Sequence, residues 1–428
     1  MNVRCPAFLV TAPASGHGKT SVTAALARYH SRKGLRVRCF KTGPDFIDPT
    51  ILAQASGQPV YNLDTWIMGE DHCRRLLYEA ATESDLILVE GVMGLFDGTP
   101  SSADLAELFG LPILPVIDAS SMAQTFAAVL HGLATFRDTL NVAGAVANRV
   151  GSARHAELLQ TGLAPGFSLA KLPRNPQATL PGRHLGLQLA NEIADIGFRL
   201  DQLADAIGDT CLADLPELVA FIPPGSAPAL QPKLQGKTIA VARDQAFCFL
   251  YAQNVELLRA MGANVVFFSP LADARLPVAD SIYLPGGYPE LYGDLLSGNV
   301  ILQEDIRTHV AQGKPLLAEC GGMLYLAEAL LDSDGQSHDL LGLLPGIATM
   351  QKKLSAIGSQ QAVLHGQIIR GHTFHYSTLN TPLQTICHAQ TQDGRAGEAI
   401  YRLGSVTASY LHFYFPSNPE VAAGLFLP

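Results

Sequence analysis

Short apolar runs alternate with stretches of helical spacing along the first half of the chain. The apolar runs begin with the one at Phe8 and continue at residues 36–41, 85–90, 113–118 and 142–148. Residues 19–33 and 123–136 carry apolar side chains three or four positions apart, which predicts helices. Regular alternation of strand and helix predicts a parallel, doubly wound sheet.

The same alternation starts again after a segment rich in proline. Strands are predicted at residues 238–242, 263–268, 315–319 and 404–408 and from Ser281 up to a Gly-Gly turn, with a helix at 251–261. A chain of 428 residues is too long for one core. We therefore predict two α/β domains, residues 1–222 and 237–428, joined by a linker at 223–236.

Composition and charge narrow the class of protein. Hydrophobic residues make up 48% of the chain and charged residues 16%, which is typical of a well-packed globular protein. The net charge of -9 argues against a nucleic-acid partner. Seven scattered cysteines without a CxxC pair suit a reducing compartment. With no signal peptide and no apolar stretch long enough to span a membrane, we expect a cytoplasmic protein.

The segment after the first strand has the features of a phosphate-binding loop. It contains Gly16, Gly18, Lys19 and Thr20 and leads directly into a predicted helix. Lys19 would reach the outer phosphates of a nucleotide, and the Thr20 hydroxyl would hold Mg2+. Pro13 stands where the general pattern has glycine, so an ordinary glycine-rich turn is the alternative.

Polar side chains follow several of the predicted strands. They include Lys41, Asp45 and Asp48 after the second strand, Glu90 and Asp97 after the next apolar run, and Asn148-Arg149 after a later one. Open α/β sheets bind ligands at the carboxyl ends of their strands, so these residues are candidates for nucleotide, Mg2+ and substrate. A solvated loop or a helix cap is the alternative. Arg174, Arg183 and His184 could recognise substrate carboxylates or be surface charges.

Cys320 is the candidate nucleophile of the second domain. It stands between a short apolar strand and Gly321-Gly322, with a helical pattern from Leu324. Small neighbours allow a nucleophile to project from a sharp strand-to-helix turn, and the helix N-terminus is expected to lower the pKa of the thiol. A buried structural cysteine is the alternative. His412 is the candidate base, and His372 and His375 are rivals that spacing does not exclude.

Taken together, these motifs resemble the cobyrinic acid a,c-diamide synthase family, including synthases acting on hydrogenobyrinic acid. The resemblance covers nearly the whole chain and is carried by residues 12–20, 41–49, 90–98, 284–290 and 319–323. Pro13 is normal in this family. The resemblance implies an N-terminal P-loop domain like dethiobiotin synthetase and a C-terminal domain like class I glutamine amidotransferases, hence α/β throughout.

For the second domain, the resemblance implies glutamine hydrolysis. Cys320 would form a thioester with glutamine, His412 would move the protons, and backbone N–H groups at Gly287 and Gly321 would hold the oxyanion. Ordinary class I amidotransferases have glutamate two residues after the histidine, whereas this chain has Tyr414. We therefore assign no third catalytic residue.

For the first domain, the resemblance implies that ATP activates the a- and c-acetate carboxylates of a corrinoid ring. The implied nucleotide-binding residues are Ser15, Gly16, Gly18, Lys19, Thr20, Lys41 and Asn148. The implied Mg2+ ligands are Thr20, Asp45 and Glu90, and Asp48 and Asp97 would position substrate. The expected partners are the corrinoid, glutamine and ATP, with a homodimer possible at the level of the family.

Three other functions stay open on sequence alone. Cobyric acid synthase has the same two halves, and Ni-sirohydrochlorin a,c-diamide synthase is closer in its motifs. The third is a non-catalytic phosphate-loop module fused to an inert amidotransferase-like domain. Such a protein would need no nucleophile, so the candidate nucleophile Cys320 argues against it. The sequence also leaves open whether the ring carries cobalt.

Overall fold

Apolar strands form the centre of the first of two compact units. The structure, a computed structural model, describes residues 2–183, 186–225 and 229–428, and the chain divides into Met1–Ser226 and Ala227–Pro428. The strands of the first unit are β1 (Val3–Thr11), β2 (Val37–Thr42), β3 (Tyr61–Leu63), β4 (Leu86–Glu90), β5 (Ile113–Asp118), β6 (Ala145–Val150), β7 (Leu169–Pro173), β8 (Gly182–Arg183), β9 (Gly186–Leu187) and β10 (Leu218–Phe221). Its helices are α1 (Lys19–Arg32), α2 (Asp48–Ser56), α3 (Glu70–Glu83), α4 (Ser102–Phe109), α5 (Thr125–Thr135), α6 (Ala153–Gln160) and α7 (Ile196–Asp205).

The main sheet of this unit has the order β3-β2-β4-β1-β5-β6-β7, and all these neighbours are parallel. Among the described strands of this sheet, β10 alone runs antiparallel, against the first residues of β1. All five residues of β4 are buried, as expected for a strand covered by helices on both faces. The predicted parallel sheet is confirmed, and the order reverses at β1, where the carboxyl ends of β1, β4 and β5 form a crevice for ligands.

The second unit combines a parallel sheet with an antiparallel extension. Its strands are β11 (Thr238–Ala242), β12 (Asn264–Phe268), β13 (Ser281–Leu284), β14 (Leu316–Glu319), β15 (Ala327–Leu331), β16 (Ser337–Asp339), β17 (Leu344–Met350), β18 (Ala356–Leu364), β19 (Gln367–His375), β20 (Ser377–Asn380), β21 (Thr385–Thr391), β22 (Ala396–Leu403), β23 (Val406–Ser409) and β24 (His412–Phe413). Its helices are α8 (Ala252–Ala260), α9 (Gly293–Gly298), α10 (Val300–Ala311), α11 (Gly321–Leu326) and α12 (Pro419–Gly424). The main sheet has the order β12-β11-β13-β14-β23-β22-β21-β18-β19-β24, and β16-β15-β17-β20 form a smaller sheet.

The strands between residues 327 and 403 were not predicted from the sequence. They are largely antiparallel, and several alternate less exposed and more exposed residues, as β21 does. A strand with one solvated face lacks the continuous apolar run by which a strand buried on both faces is recognised. The helix after Cys320 also differs from the prediction, because α11 starts at Gly321 and ends at Leu326.

Three further predictions concern the ends and surfaces of the units. Among the described helices, none is both long and apolar enough to cross a membrane. The linker predicted at 223–236 includes residues 226–228, which lie outside the described residues, so its bounds remain a prediction. Arg174 is exposed, whereas His184 and the side chain of Arg183 also lie outside what the structure describes.

Candidate active sites in the two units

The loop between β1 and α1 has the backbone conformation of a phosphate-binding loop. Gly16 and Gly18 have φ angles of 84° and 94°, which glycine adopts without strain. A Cβ on Gly18 would lie 2.3 Å from Asn148 Nδ2, so this position has no room for a side chain. The 14-residue helix α1 starts at Lys19 and directs the positive end of its dipole to the loop. The loop can therefore bind an anion.

Lys19 lies across this loop as a buried cation. Its Nζ donates to the carbonyl oxygens of Ala14 at 3.2 Å and Met93 at 2.5 Å. Burial and the nearby Lys41 lower the pKa of Lys19 to about 8. A phosphate group would relieve both effects, because it would bring negative charge to the buried ammonium.

Four side chains meet where β2, β4 and α1 converge. Thr20 Oγ1 donates to Glu90 Oε1 at 2.7 Å, and the same hydroxyl oxygen lies 3.2 Å from Asp48 Oδ2. Lys41 Nζ donates to the same two oxygens, at 2.7 Å and 2.6 Å respectively. Each carboxylate oxygen thus joins the α1 hydroxyl to the β2 ammonium, and this pattern fixes all four side chains.

Burial and charge oppose each other in this cluster. Burial alone would lower the pKa of Lys41, but Asp48 and Glu90 outweigh it and raise that pKa. Burial raises the pKa of Glu90 to about 7, although Lys41 acts in the other direction. Burial also favours the neutral form of Asp48, yet Lys41 holds the pKa of Asp48 below its ordinary value. The cluster therefore holds the Lys41 ammonium beside two carboxyl groups. Asp48 stays ionised, whereas Glu90 gains a proton easily.

The contacts of Asp45 and Asp48 bear on the predicted Mg2+ ligands. We predicted Asp45 as a Mg2+ ligand beside Thr20 and Asp48 as a substrate contact, and both remain predictions. Asp45 Oδ1 accepts from the backbone N–H groups of Ile47 at 2.8 Å and Asp48 at 3.1 Å, and Asp45 Oδ2 lies 3.8 Å from Lys41 Nζ. Because α2 starts at Asp48, it is this carboxylate that contacts Thr20.

The donors at this cluster fit Mg2+. Glu90 Oε2 is buried and has no hydrogen-bond partner within the described part of the chain, so one oxygen is available to a ligand. Carboxylate and hydroxyl oxygens are hard donors, and Mg2+ usually takes only one or two carboxylates beside water and phosphate. Within the described ranges no group of three His, Cys, Asp or Glu side chains forms a metal site by itself. The arrangement thus suits an ion completed by nucleotide phosphates.

The other predicted residues of this unit lie around the same loop. Asn148 Nδ2 donates to the His17 carbonyl at 3.0 Å, so Asn148 contacts the phosphate loop itself. Asp97 Oδ2 accepts from the Gly94 backbone at 2.9 Å and is exposed, as is Ser15. The predicted base contact of Asn148 and substrate contact of Asp97 remain predictions.

Cys320 occupies a strained turn in the second unit. Its φ and ψ angles are 44° and -108°, between β14 and α11, and its N–H donates to the Ser409 carbonyl at 2.8 Å. A Cβ on Gly321 would lie 2.8 Å from Gly287 N, and one on Gly322 would lie 2.1 Å from the Leu284 carbonyl oxygen. The backbone approaches both glycines so closely that neither position has room for a side chain. The strained φ of Cys320 is typical of a nucleophile elbow.

His412 lies beside Cys320 across a third glycine. A Cβ built on Gly286 would be 3.1 Å from His412 Nδ1 and 3.3 Å from Cys320 Cβ. The absence of a side chain at Gly286 is what allows the imidazole to approach the thiol. The sequence prediction singled out Gly287 on this turn and missed Gly286, whose requirement depends on the distant β24.

The pKa of Cys320 differs from our prediction, and the pKa of His412 supports its role as a base. Burial, followed by the charge of Glu290, raises the pKa of Cys320, whereas we expected the helix N-terminus to lower it. The six-residue helix α11 does not outweigh burial. Burial, followed by His372 and His375, lowers the pKa of His412 well below the ordinary value. A neutral imidazole thus faces a protonated thiol, which is the arrangement required for general-base activation.

The rival histidines have other partners. His372 pairs with His412 across β19 and β24, and their rings stack at 5.0 Å. Its Nδ1 lies 2.8 Å from Tyr251 Oη. Tyr414, in the place where class I amidotransferases have glutamate, is fully buried and packs edge-on against Tyr251 at 5.2 Å.

Glu319, directly before the nucleophile, is a residue that the sequence analysis did not single out. Its Oε1 accepts from the Phe413 backbone at 3.0 Å and its Oε2 from Tyr283 Oη at 2.7 Å. Burial raises the pKa of Glu319 to about 8. A carboxylate at the end of a fully apolar strand was the available signal, as it was for Glu90. Glu319 fixes the backbone next to His412.

Comparisons with known proteins agree with this arrangement. Residues 8–187 match the CobQ/CobB/MinD/ParA nucleotide binding domain, and residues 238–420 match the CobB/CobQ-like glutamine amidotransferase domain. The chain is 56% identical to hydrogenobyrinate a,c-diamide synthase of Pseudomonas aeruginosa, over 99% of this chain and 98% of that protein. The chain belongs to the cobyrinate and hydrogenobyrinate a,c-diamide synthase family.

Two other similar proteins are named as synthases for different substrates, hydrogenobyrinate and cobyrinate. Hydrogenobyrinate a,c-diamide synthase of Stutzerimonas stutzeri is 56% identical over 99% of both chains. Cobyrinate a,c-diamide synthase of Herminiimonas arsenicoxydans is 49% identical over 98% of this chain and 96% of its own. These matches confirm the family and the two-part α/β fold inferred from the motifs.

Proposed function

We propose that this protein is an ATP-dependent, glutamine-hydrolysing a,c-diamide synthase that acts on cobyrinate or hydrogenobyrinate in cobalamin biosynthesis. The observation that carries the proposal is the 56% identity to hydrogenobyrinate a,c-diamide synthase along 99% of the chain. The phosphate loop at Lys19 and the strained turn at Cys320 agree with it, because the reaction needs both ATP and ammonia from glutamine.

Glutamine hydrolysis is assigned to Cys320 and His412. The Cys320 sulfur attacks the side-chain amide carbon of glutamine while His412 takes the thiol proton and passes it to the departing ammonia. Water then hydrolyses the thioester and releases glutamate. Backbone N–H groups at Gly287 and Gly321, whose chain segments touch, would hold the oxyanion. The neutral state of His412 supports its role as the base.

Amidation is assigned to the phosphate-loop site. An oxygen of the ring's a- or c-acetate carboxylate attacks the γ-phosphorus of ATP, ADP leaves, and an acyl phosphate forms. Ammonia then attacks the acyl carbon, phosphate leaves with the former carboxylate oxygen, and the amide loses a proton. Lys19 and Lys41 would neutralise the negative charge of the transferred group. Asp97 would position the substrate, and Ser15, Gly16 and Gly18 would contact phosphate.

Mg2+ would be held by Thr20, Glu90 and Asp48. When bound, the ion would neutralise phosphate charge. The buried, unpartnered Glu90 Oε2 supports a metal at this place. Asp48 replaces the sequence-based choice of Asp45, because Asp48 is the carboxylate in contact with Thr20.

A turnover assay tests the proposed function. The purified protein is mixed with ATP, Mg2+ and glutamine and offered cobyrinate or hydrogenobyrinate, and the product mass is followed. We expect two carboxylates of at least one ring to become amides, with glutamate released in step. No amidation of either ring under these conditions would overturn the proposal. The preferred ring would also settle the metal state of the substrate.

A nucleophile variant separates the two half-reactions. Cys320→Ser is expected to lose amidation with glutamine and to keep amidation with ammonium chloride, because ammonia can be supplied from solution. The non-catalytic alternative predicts instead that the wild-type protein releases no glutamate.

A further inference from the structure

A second pair of stacked rings lies next to the His372–His412 pair. β19 carries His375 as well as His372, and the His375 ring stacks on that of Tyr410 at 3.6 Å and 8°. Both rings are buried. Tyr410 stands two residues before His412, and it directly follows Ser409, whose carbonyl holds the Cys320 N–H.

Both ring nitrogens of His375 face hydrogen-bond acceptors. Nδ1 lies 2.8 Å from the Ser377 carbonyl oxygen, and Nε2 lies 3.0 Å from Glu398 Oε1. The His375 ring is therefore held at both nitrogens, by the backbone of Ser377 and by the carboxyl group of Glu398.

Glu398 and Tyr410 hold the His375 ring in place. Glu398 Oε1 also accepts from Thr373 Oγ1 at 3.0 Å, which fixes its carboxyl group by a second contact. The Glu398 backbone N–H donates to Gln360 Oε1 at 2.8 Å, which fixes the residue on β22. The face of Tyr410 covers the His375 ring at 3.6 Å.

We propose that the His375–Glu398 pair is a positioning element of the glutamine-hydrolysing site, in a chain that has tyrosine in place of the usual third residue. It holds the segment 409–412 in place through the stacked ring of Tyr410. The proposal rests on the proposed function, because it assigns a role within glutamine hydrolysis.

The packing acts on both catalytic side chains through one short segment. The stacking of Tyr410 fixes the segment between the carbonyl that binds Cys320 N–H and the imidazole of His412. The pair thus keeps the base correctly placed without touching glutamine.

The decisive variant is Glu398→Ala. It removes the contact at His375 Nε2 and leaves the ring held through Nδ1 and the stacking on Tyr410. The readout is the ratio of the amidation rate with glutamine to that with ammonium chloride, because only the former uses the Cys320 site. We expect this ratio to fall roughly tenfold or more, with the KM for glutamine little changed.

A conservative variant separates positioning from a general loss of structure. Glu398→Gln keeps a hydrogen-bonding group opposite His375 Nε2, so we expect its rate ratio to stay within about threefold of the wild type. His388→Gln, at an exposed histidine on β21, is the matched control and should leave the rate ratio unchanged.

Two results would overturn the inference. One is an unchanged rate ratio in folded Glu398→Ala, and the other is a ratio in Glu398→Gln as low as that in Glu398→Ala. If Glu398→Ala does not fold, Thr373→Val removes one hydrogen bond to Glu398, and its ratio should fall about threefold; an unchanged ratio there would also count against the pair. A wild type without Cys320-dependent glutamate release would contradict the proposed function itself.

Discussion

Thr20 Oγ1 and Glu90 Oε1 are joined by a hydrogen bond of 2.7 Å between the first turn of α1 and the end of β4. The same carboxylate oxygen lies 2.7 Å from Lys41 Nζ, whereas Glu90 Oε2 has no partner among the described residues. The carboxylate is thus fixed through one oxygen and available through the other. This geometry suits a group that binds a cation next to nucleotide phosphates.

Glu90→Gln tests that role. The amide keeps a hydrogen-bonding oxygen but removes the negative charge, so ATP-dependent amidation should fall by about a hundredfold or more, whether the nitrogen comes from glutamine or from ammonium chloride. Product mass measures the rate. Alkylation of Cys320 by a glutamine analogue should continue at the wild-type rate and serves as the control for the second unit. Near-normal amidation would exclude Glu90 from the site.

Asp45 and Asp48 can be distinguished by their requirement for Mg2+. Asp48→Asn removes the charge in contact with Thr20 and Lys41, and we expect the Mg2+ concentration for half-maximal amidation to rise roughly tenfold. Asp45→Asn keeps an oxygen for the N–H groups of Ile47 and Asp48 and should change it little. An equal or larger effect of Asp45→Asn would restore the assignment made from the sequence.

The nucleophile turn could be predicted from sequence, whereas the choice between these two carboxylates could not. Strand, cysteine and two glycines are consecutive at Cys320, so the whole pattern is local. Whether Asp45 or Asp48 reaches Thr20 depends on where α2 starts, and helix ends are the least certain part of any pattern. The pairing of His375 with Glu398 depends on the antiparallel strands between residues 327 and 403, whose alternating exposure gave no continuous apolar signal.

Glu319 predicts a particular dependence of stability on pH. Burial raises its pKa from 4.5 to about 8 in the folded protein, so the folded state holds this proton more tightly than the unfolded state. The resulting stabilisation is complete below pH 4.5 and is lost as the pH rises to about 8. Glu319→Gln should remove this contribution. The Tm of the variant should therefore rise relative to the Tm of the wild type as the pH increases from 4.5 to about 8. A difference in Tm that is independent of pH would contradict the raised pKa.

Gly286→Ala provides the sharpest test of the Cys320–His412 geometry. The new methyl carbon would lie 2.3 Å from His412 Cε1, closer than any relaxed contact, so the imidazole must move away from Cys320. We expect amidation with glutamine to fall by about a hundredfold, because a displacement of about 1 Å is enough for such a loss. Amidation with ammonium chloride should persist. Gly298→Ala is the matched control, since a Cβ there meets nothing within 4 Å, and it should leave both rates unchanged. Equal loss of both rates in Gly286→Ala would indicate general misfolding, whereas full activity with glutamine would show that His412 is not the base.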